Sequence, residues 1–116
     1  MDIETAKYIT TFFSQFFTDE ERIAQRHIHS TIKIEDLDGE KFDRFEKVYK
    51  KANWLTEWQP ALDLIKDGEE AFVINTAERI MRENSNDIFL NLCPKCHKLA
   101  RTPYAKQCRH CGYDWH

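Results

Sequence analysis

Cys93-Pro94-Lys95-Cys96 and Cys108-Arg109-His110-Cys111-Gly112 decide how this chain is read. They hold all 4 cysteines of a 116-residue sequence, so every thiol lies in the last 24 residues. A Cys-x-x-Cys pair makes a tight turn whose backbone amides point at sulfur and stabilise thiolate charge. Two such turns supply four sulfurs for a tetrahedral Zn(II) ion, with Zn–S near about 2.3 Å. The 11 residues between the pairs, 97–107, are fewer than in the commonest spacing. They suffice for one β-hairpin: Lys98 to Arg101 outward, a turn at Thr102-Pro103, and Tyr104 to Gln107 back. Cys93, Cys96, Cys108 and Cys111 are therefore the expected metal ligands, with Zn(II) as a structural cofactor. Iron accepts the same four thiolates.

By these two knuckles, and by Gly112 after the second of them, residues 89–116 resemble a zinc ribbon with rubredoxin-like knuckles. The resemblance implies left-handed backbone at the residue following each pair, where His97 takes the place of the usual glycine. Residues 93–116 are also similar to the ends of small bacterial proteins, and that likeness brings no function with it. Two other readings of the cysteines are weaker. Cys93 to His97 spells the c-type haem attachment signature, but that reading leaves Cys108 and Cys111 without a role. A redox pair belongs in a βαβ setting, which the sequence does not offer. A four-thiolate site has no open coordination position, so the metal is expected to hold the fold rather than do chemistry. His97, His110 and His116 then stand beside a complete ligand set.

Outward from the cysteines the charge changes sign. Residues 91–116 carry five Lys/Arg against one Asp, a net +4, whereas residues 1–90 carry −7 and the chain −3. Four thiolates and one Zn(II) sum to −2, which lowers the tail to about +2 and the chain to about −5. The tail interleaves Lys95, Lys98, Arg101, Lys106 and Arg109 with Tyr104, Tyr113 and Trp115. Lys98, Arg101, Tyr104, Arg109 and Trp115 are the expected contact surface. A protein partner is the first expectation and nucleic acid the alternative, since phosphate binding needs more positive charge than the loaded tail retains.

The preceding residues read as helices. Asp2 caps a helix over 2–17, with Ile9, Phe12, Phe13, Phe16 and Phe17 on one stripe. Thr18 to Glu21 is a capping box opening a second helix, which fades at Ser30-Thr31-Ile32. Residues 35–39 read as an acidic loop. A third helix is expected over about 40–53, with Phe42, Phe45, Tyr49 and Ala52 on one face, ended by Trp54 to Pro60. Leu62 to Ile65 make a helical turn. A last helix opens at Asp67 to Glu70, runs to about Glu83 and buries Phe72, Val73, Ala77, Ile80 and Met81. Ile88-Phe89-Leu90 reads as a strand entering the cysteines. The expectation is a mainly α protein: an acidic domain of about four helices over 1–87 and a zinc ribbon with a short β-hairpin over 88–116.

Hydrophobic residues make up 41% of the chain and charged residues 32%, the balance of a folding globular domain. No run of 18 or more apolar residues occurs, so no transmembrane helix and no membrane role are expected. The start shows no basic region followed by an apolar one. The expected location is therefore the reducing cytoplasm, where clustered cysteines bind metal rather than pair. Only 3 glycines occur, and no phosphate-cradling loop, nucleophile elbow or H-E-x-x-H motif. His27 and His29 form a second polar cluster, which would serve a small enzyme only if folding brought carboxylates such as Glu35 or Asp36 beside them. At a helix C-terminus they would instead complement the dipole. The sequence therefore points to a non-enzymatic interaction protein.

Overall fold

A computed structural model describes all residues 1–116. The chain is mainly helical, with five α-helices: α1 (Ile3–Phe12), α2 (Asp19–Glu35), α3 (Gly39–Lys51), α4 (Gln59–Leu64) and α5 (Glu69–Asn84). No helix is long and apolar enough to cross a membrane. Two compact units emerge, one of Met1–Phe16 with Val73–His116 and one of Phe17–Phe72.

In the first unit Asp2 caps α1, its carboxylate accepting the Thr5 backbone N–H at 3.0 Å. The helix ends at Phe12, five residues before the expected end, and a 3-10 turn follows at Ser14–Phe16. Phe13 leaves helical geometry at φ −127°. The break is useful to packing: Ile9 and Phe13 are buried, while Phe12 stays exposed. Arg79 of α5 donates to the Phe16 carbonyl at 2.7 Å, at the end of that 3-10 turn. From α5 the unit buries Thr76, Ala77 and Ile80, whereas Met81 and Val73 are half-buried. The amino group of Met1 pairs with Glu78 at 3.1 Å.

In the second unit the capping box is present as read. Thr18 Oγ1 accepts the Glu21 N–H at 3.2 Å, and Glu21 Oε1 accepts the Thr18 N–H at 2.8 Å. The helix it opens does not fade at Ser30. It runs on to Glu35, and Thr31 is accommodated inside it with its hydroxyl donating to the His27 carbonyl at 2.8 Å. α2 packs on α3 and α4. Ala24 and Ala61, one on α2 and one on α4, are both fully buried. α4 is a helix in its own right, longer than the expected turn at Leu62 to Ile65, and brings the count from about four to five. Pro60 sits in its first turn, where the missing N–H would have had no partner anyway. α3 starts and ends close to expectation, yet none of its residues is buried. Gly68, at φ +99°, precedes α5 in a backbone region that L side chains rarely adopt.

The tail departs from the expected strand and hairpin. Ile88-Phe89-Leu90 forms no strand, and the only β pairings are two isolated antiparallel bridges, Leu92 with Leu99 and Gln107 with Asp114. Each bridge closes around its own Cys-x-x-Cys pair. No hairpin forms across Thr102-Pro103, because the outward and returning segments are each consumed in a separate knuckle. The connector turns instead, with the Ala105 N–H on the Thr102 carbonyl at 3.3 Å.

Candidate metal centre

The two knuckles share one hydrogen-bond frame. Cys93 donates its N–H to the Lys98 carbonyl at 2.9 Å, and the His97 N–H returns to the Cys93 carbonyl at 2.9 Å. Fifteen residues on, Cys108 donates to Tyr113 at 2.7 Å and Gly112 returns to Cys108 at 3.0 Å. An outer rung repeats as well: Ala100 N–H to the Asn91 carbonyl at 2.7 Å, Trp115 N–H to the Lys106 carbonyl at 2.8 Å. Residues 91–100 and 106–115 are thus one motif written twice. The repeat is too short for the periods at which solenoid arrays are sought, and the equal spacing of the two pairs was its only trace in the sequence. His97 and Gly112 both take left-handed backbone, at φ +64° and +78°, as the ribbon resemblance implies. Histidine tolerates that region better than most residues.

The frame aims the amides at sulfur. Cys93 Sγ accepts N–H groups from Lys95 and Cys96, both at 3.4 Å. Cys108 Sγ accepts those of His110 and Cys111, at 3.3 and 3.4 Å. The four sulfurs converge, all lying within 4.8 Å of one another. Cys93 and Cys111 approach to 3.7 Å, Cys96 and Cys108 to 3.5 Å. These separations are far longer than a disulfide bond of about 2.05 Å. They suit the edge of a tetrahedron with metal–sulfur bonds near about 2.3 Å, which is about 3.8 Å long. Cys93 and Cys108 are buried, Cys96 is half-buried and Cys111 is exposed.

The amides also divide the charge. The Cys111 and His110 N–H groups, working against burial, hold the Cys108 thiol down to about 6. Burial pushes the Cys93 thiol up, but the Cys96 and Lys95 amides outweigh it and leave Cys93 below the usual thiol value. At Cys96 the Lys98 amide pulls downward; burial and the neighbouring thiols prevail and push it up to about 11. Four sulfurs this close do not all ionise alone. A divalent cation at their centre would remove that conflict and deprotonate every thiol.

Two residues that sequence reasoning missed tie the centre to α1. Tyr8, buried on α1, donates its hydroxyl to the Phe89 carbonyl at 2.7 Å and accepts the Asn91 N–H at 3.3 Å. Buried Asn91 donates its side-chain amide to the Thr102 and Ala105 carbonyls, both at 2.9 Å. It thereby holds the connector between the knuckles. Nothing local marks either residue, since Tyr8 and Asn91 stand 83 positions apart.

Of the expected contact residues, only Arg101 and Arg109 share a cleft. Arg101 and Arg109 line one cleft of about 330 Å³ with Glu4 and Lys7, and Arg109 is paired to Glu4 at 3.5 Å. Tyr104 stands out at 84% exposure. Trp115 is half-buried and stacks on Tyr113, centroids 6.3 Å apart, while Lys98 is exposed. His27 and His29 both lie on α2, where a two-residue step turns them roughly 200° apart. His27 Nδ1 accepts the Thr56 N–H at 3.0 Å, and burial lowers its pKa. His29 is exposed. The two do not form one site.

The chain matches no known protein family, no curated protein and no solved structure.

Proposed function

We propose that this is a small zinc-binding, non-enzymatic interaction protein of the cytoplasm, whose four-cysteine ribbon over residues 88–116 presents a docking surface to a protein partner. The observation that carries the reading is the convergence of four sulfurs to within 4.8 Å of one another, two pairs of them at 3.7 and 3.5 Å. Four thiolates saturate Zn(II), leave no position for water or substrate, and so favour a structural metal over a catalytic one. His27, its Nδ1 already used by a backbone amide, does not favour the enzyme alternative at His27 and His29.

Lys98, Arg101, Tyr104 and Trp115 are the side chains we assign to that surface. Arg109 contributes less, because Glu4 already holds it. Metal analysis of the purified protein is the first test. One zinc per chain is expected, and less than about half an equivalent of zinc or iron sinks the reading. Iron in place of zinc would show as thiolate-to-metal absorption in the visible. The second test is photo-crosslinking from position 104 in cells. A discrete protein adduct supports docking.

The nucleic-acid alternative draws on three exposed side chains of the tail, Lys98, Arg101 and Tyr104. It predicts oligonucleotide binding that strengthens as salt is lowered. Absence of binding at low salt removes it.

A further inference from the structure

Within Phe17–Phe72, α2 carries a row of basic side chains that the metal centre does not use. Arg22, Arg26, His29 and Lys33 follow one another at helical spacing and fall within about 60° of arc. The unit holding them has nine Lys/Arg against fourteen Asp/Glu, a net −5, so the row is a local reversal of sign. Arg22 makes an exposed pair with Asp19 at 3.7 Å. The side chains of Arg26, His29 and Lys33 make no ion pair or hydrogen bond.

A row of aromatic side chains runs beside the basic one. Phe45 meets Tyr49 at 6.3 Å, and Tyr49 meets Trp54 at 5.1 Å. Phe45 and Trp54 remain 41% and 43% exposed, and Trp58 44%. The rows meet at two clefts. One, of about 380 Å³, sets Trp54 against Arg22, Arg26, His29 and Lys33. The other, of about 750 Å³, sets Trp58 and Leu55 against Arg26 and Lys50, with Glu57 as its one carboxylate. Arg26 lines both. Lys50 is engaged with Glu46 at 3.0 Å, which leaves Arg26 as the uncommitted cation between two exposed indoles.

We propose that this face is a second docking site, distinct from the metal-bound tail, for an acidic protein segment that carries apolar side chains. Charge complementarity chooses the occupant. Carboxylates answer Arg26 and Lys33, and Arg takes a carboxylate through two parallel hydrogen bonds. Leucine or aromatic side chains of the same segment cover Trp54 and Trp58, and Trp and Arg are the residue types that dominate interface energetics. Single-stranded nucleic acid fits less well. The rings are tilted by 70° and 57° rather than forming the parallel platforms on which bases stack.

A random-peptide display library selected on the full metal-loaded chain tests the proposal. Enriched peptides are expected to be acidic with interspersed apolar residues. Their affinity is expected to fall at least tenfold with Arg26→Glu, and similarly with Trp54→Ala. It should weaken as salt rises and stay unchanged with Lys98→Glu on the tail. Circular dichroism checks that each variant keeps its helices, and Arg26, on an exposed helix face, keeps the test open if Trp54→Ala does not fold. Enrichment of neutral or basic peptides, indifference to Arg26→Glu, or no enrichment overturns the proposal. So does oligothymidylate binding that Arg26→Glu abolishes while peptides remain weak, or a concentration-dependent dimer in sedimentation that Arg26→Glu abolishes. Loss of peptide binding with Lys98→Glu, Arg26→Glu having no effect, would place docking on the tail alone.

Discussion

The two knuckles have nearly the same backbone and different surroundings. Around Cys93 the sulfur is fully buried, and the knuckle is anchored by Asn91 and through it by Tyr8. Around Cys108 the position equivalent to Asn91 is Lys106, an exposed side chain, and the last ligand, Cys111, is exposed too. The shared frame shows that a knuckle needs only two cysteines, amides that reach sulfur, and one left-handed residue. The unequal surroundings show that the four-cysteine cluster is built from one fixed half and one open half. The fixed half is carried by α1. The open half would be carried by the metal ion that the four cysteines are positioned to hold.

Removing the metal should bring out that asymmetry most strongly. Structural zinc supplies on the order of 10 kcal/mol or more of folding free energy in small metal-stapled domains. Chelation is expected to release the second knuckle first, with hydrogen exchange at 106–115 rising before that at 91–100. Simultaneous release of both halves would break the comparison. Cys93→Ser and Cys111→Ser should both abolish stoichiometric metal, but only Cys93→Ser should also expose the amides around Asn91. Acid acts in the same direction as chelation. Thiols must lose protons to bind metal, so affinity falls as pH falls, and metal release monitored against pH checks the sign.

The anchor comes next in size. Asn91→Ala removes the amide that satisfies the Thr102 and Ala105 carbonyls and should cost about 1–3 kcal/mol in the metal-loaded protein. Tyr8→Phe removes one hydroxyl and should cost about 1 kcal/mol. Lys106→Ala, the counterpart of Asn91, should stay within about 0.5 kcal/mol of the parent. Urea unfolding of the three variants decides the matter: equal losses at 91 and 106 would mean that the two halves are held alike.

How much of this was legible follows from the range of each interaction. The cysteine spacing, the Thr18–Glu21 capping box and the Asp2 cap of α1 are local, and each stands where the sequence placed it. The hairpin across Thr102-Pro103 was misread because a two-residue turn signal looks the same whether its flanks pair with each other or each closes a separate knuckle. The end of α2 was misread for a similar reason. Thr31 disfavours helix by propensity, yet its hydroxyl finds the His27 carbonyl inside the helix. The Tyr8–Asn91 link joins residues 83 apart, and no local pattern announces such a partner. The basic row on α2 was present in the sequence at regular helical spacing. It was hidden by the acidic total of the surrounding residues, which a summed charge averages away.

The smallest expected effect separates backbone from side chain within the shared frame. Gly112 and His97 occupy equivalent positions at similar positive φ. A Cβ at Gly112 would meet nothing within 4 Å, so Gly112→Ala introduces no clash, and its cost is conformational alone. That cost is about 1 kcal/mol, the penalty for placing an L side chain in left-handed geometry. His97→Gly relieves the same penalty but adds freedom to the unfolded chain, and the two effects oppose each other. Its net change should be within about 0.5 kcal/mol of zero, since histidine is among the residues that bear this region best. Chemical denaturation of both variants with metal bound measures the difference. A Gly112→Ala variant as stable as the parent would mean that the metal, rather than the left-handed residue, dictates the shape of the second knuckle.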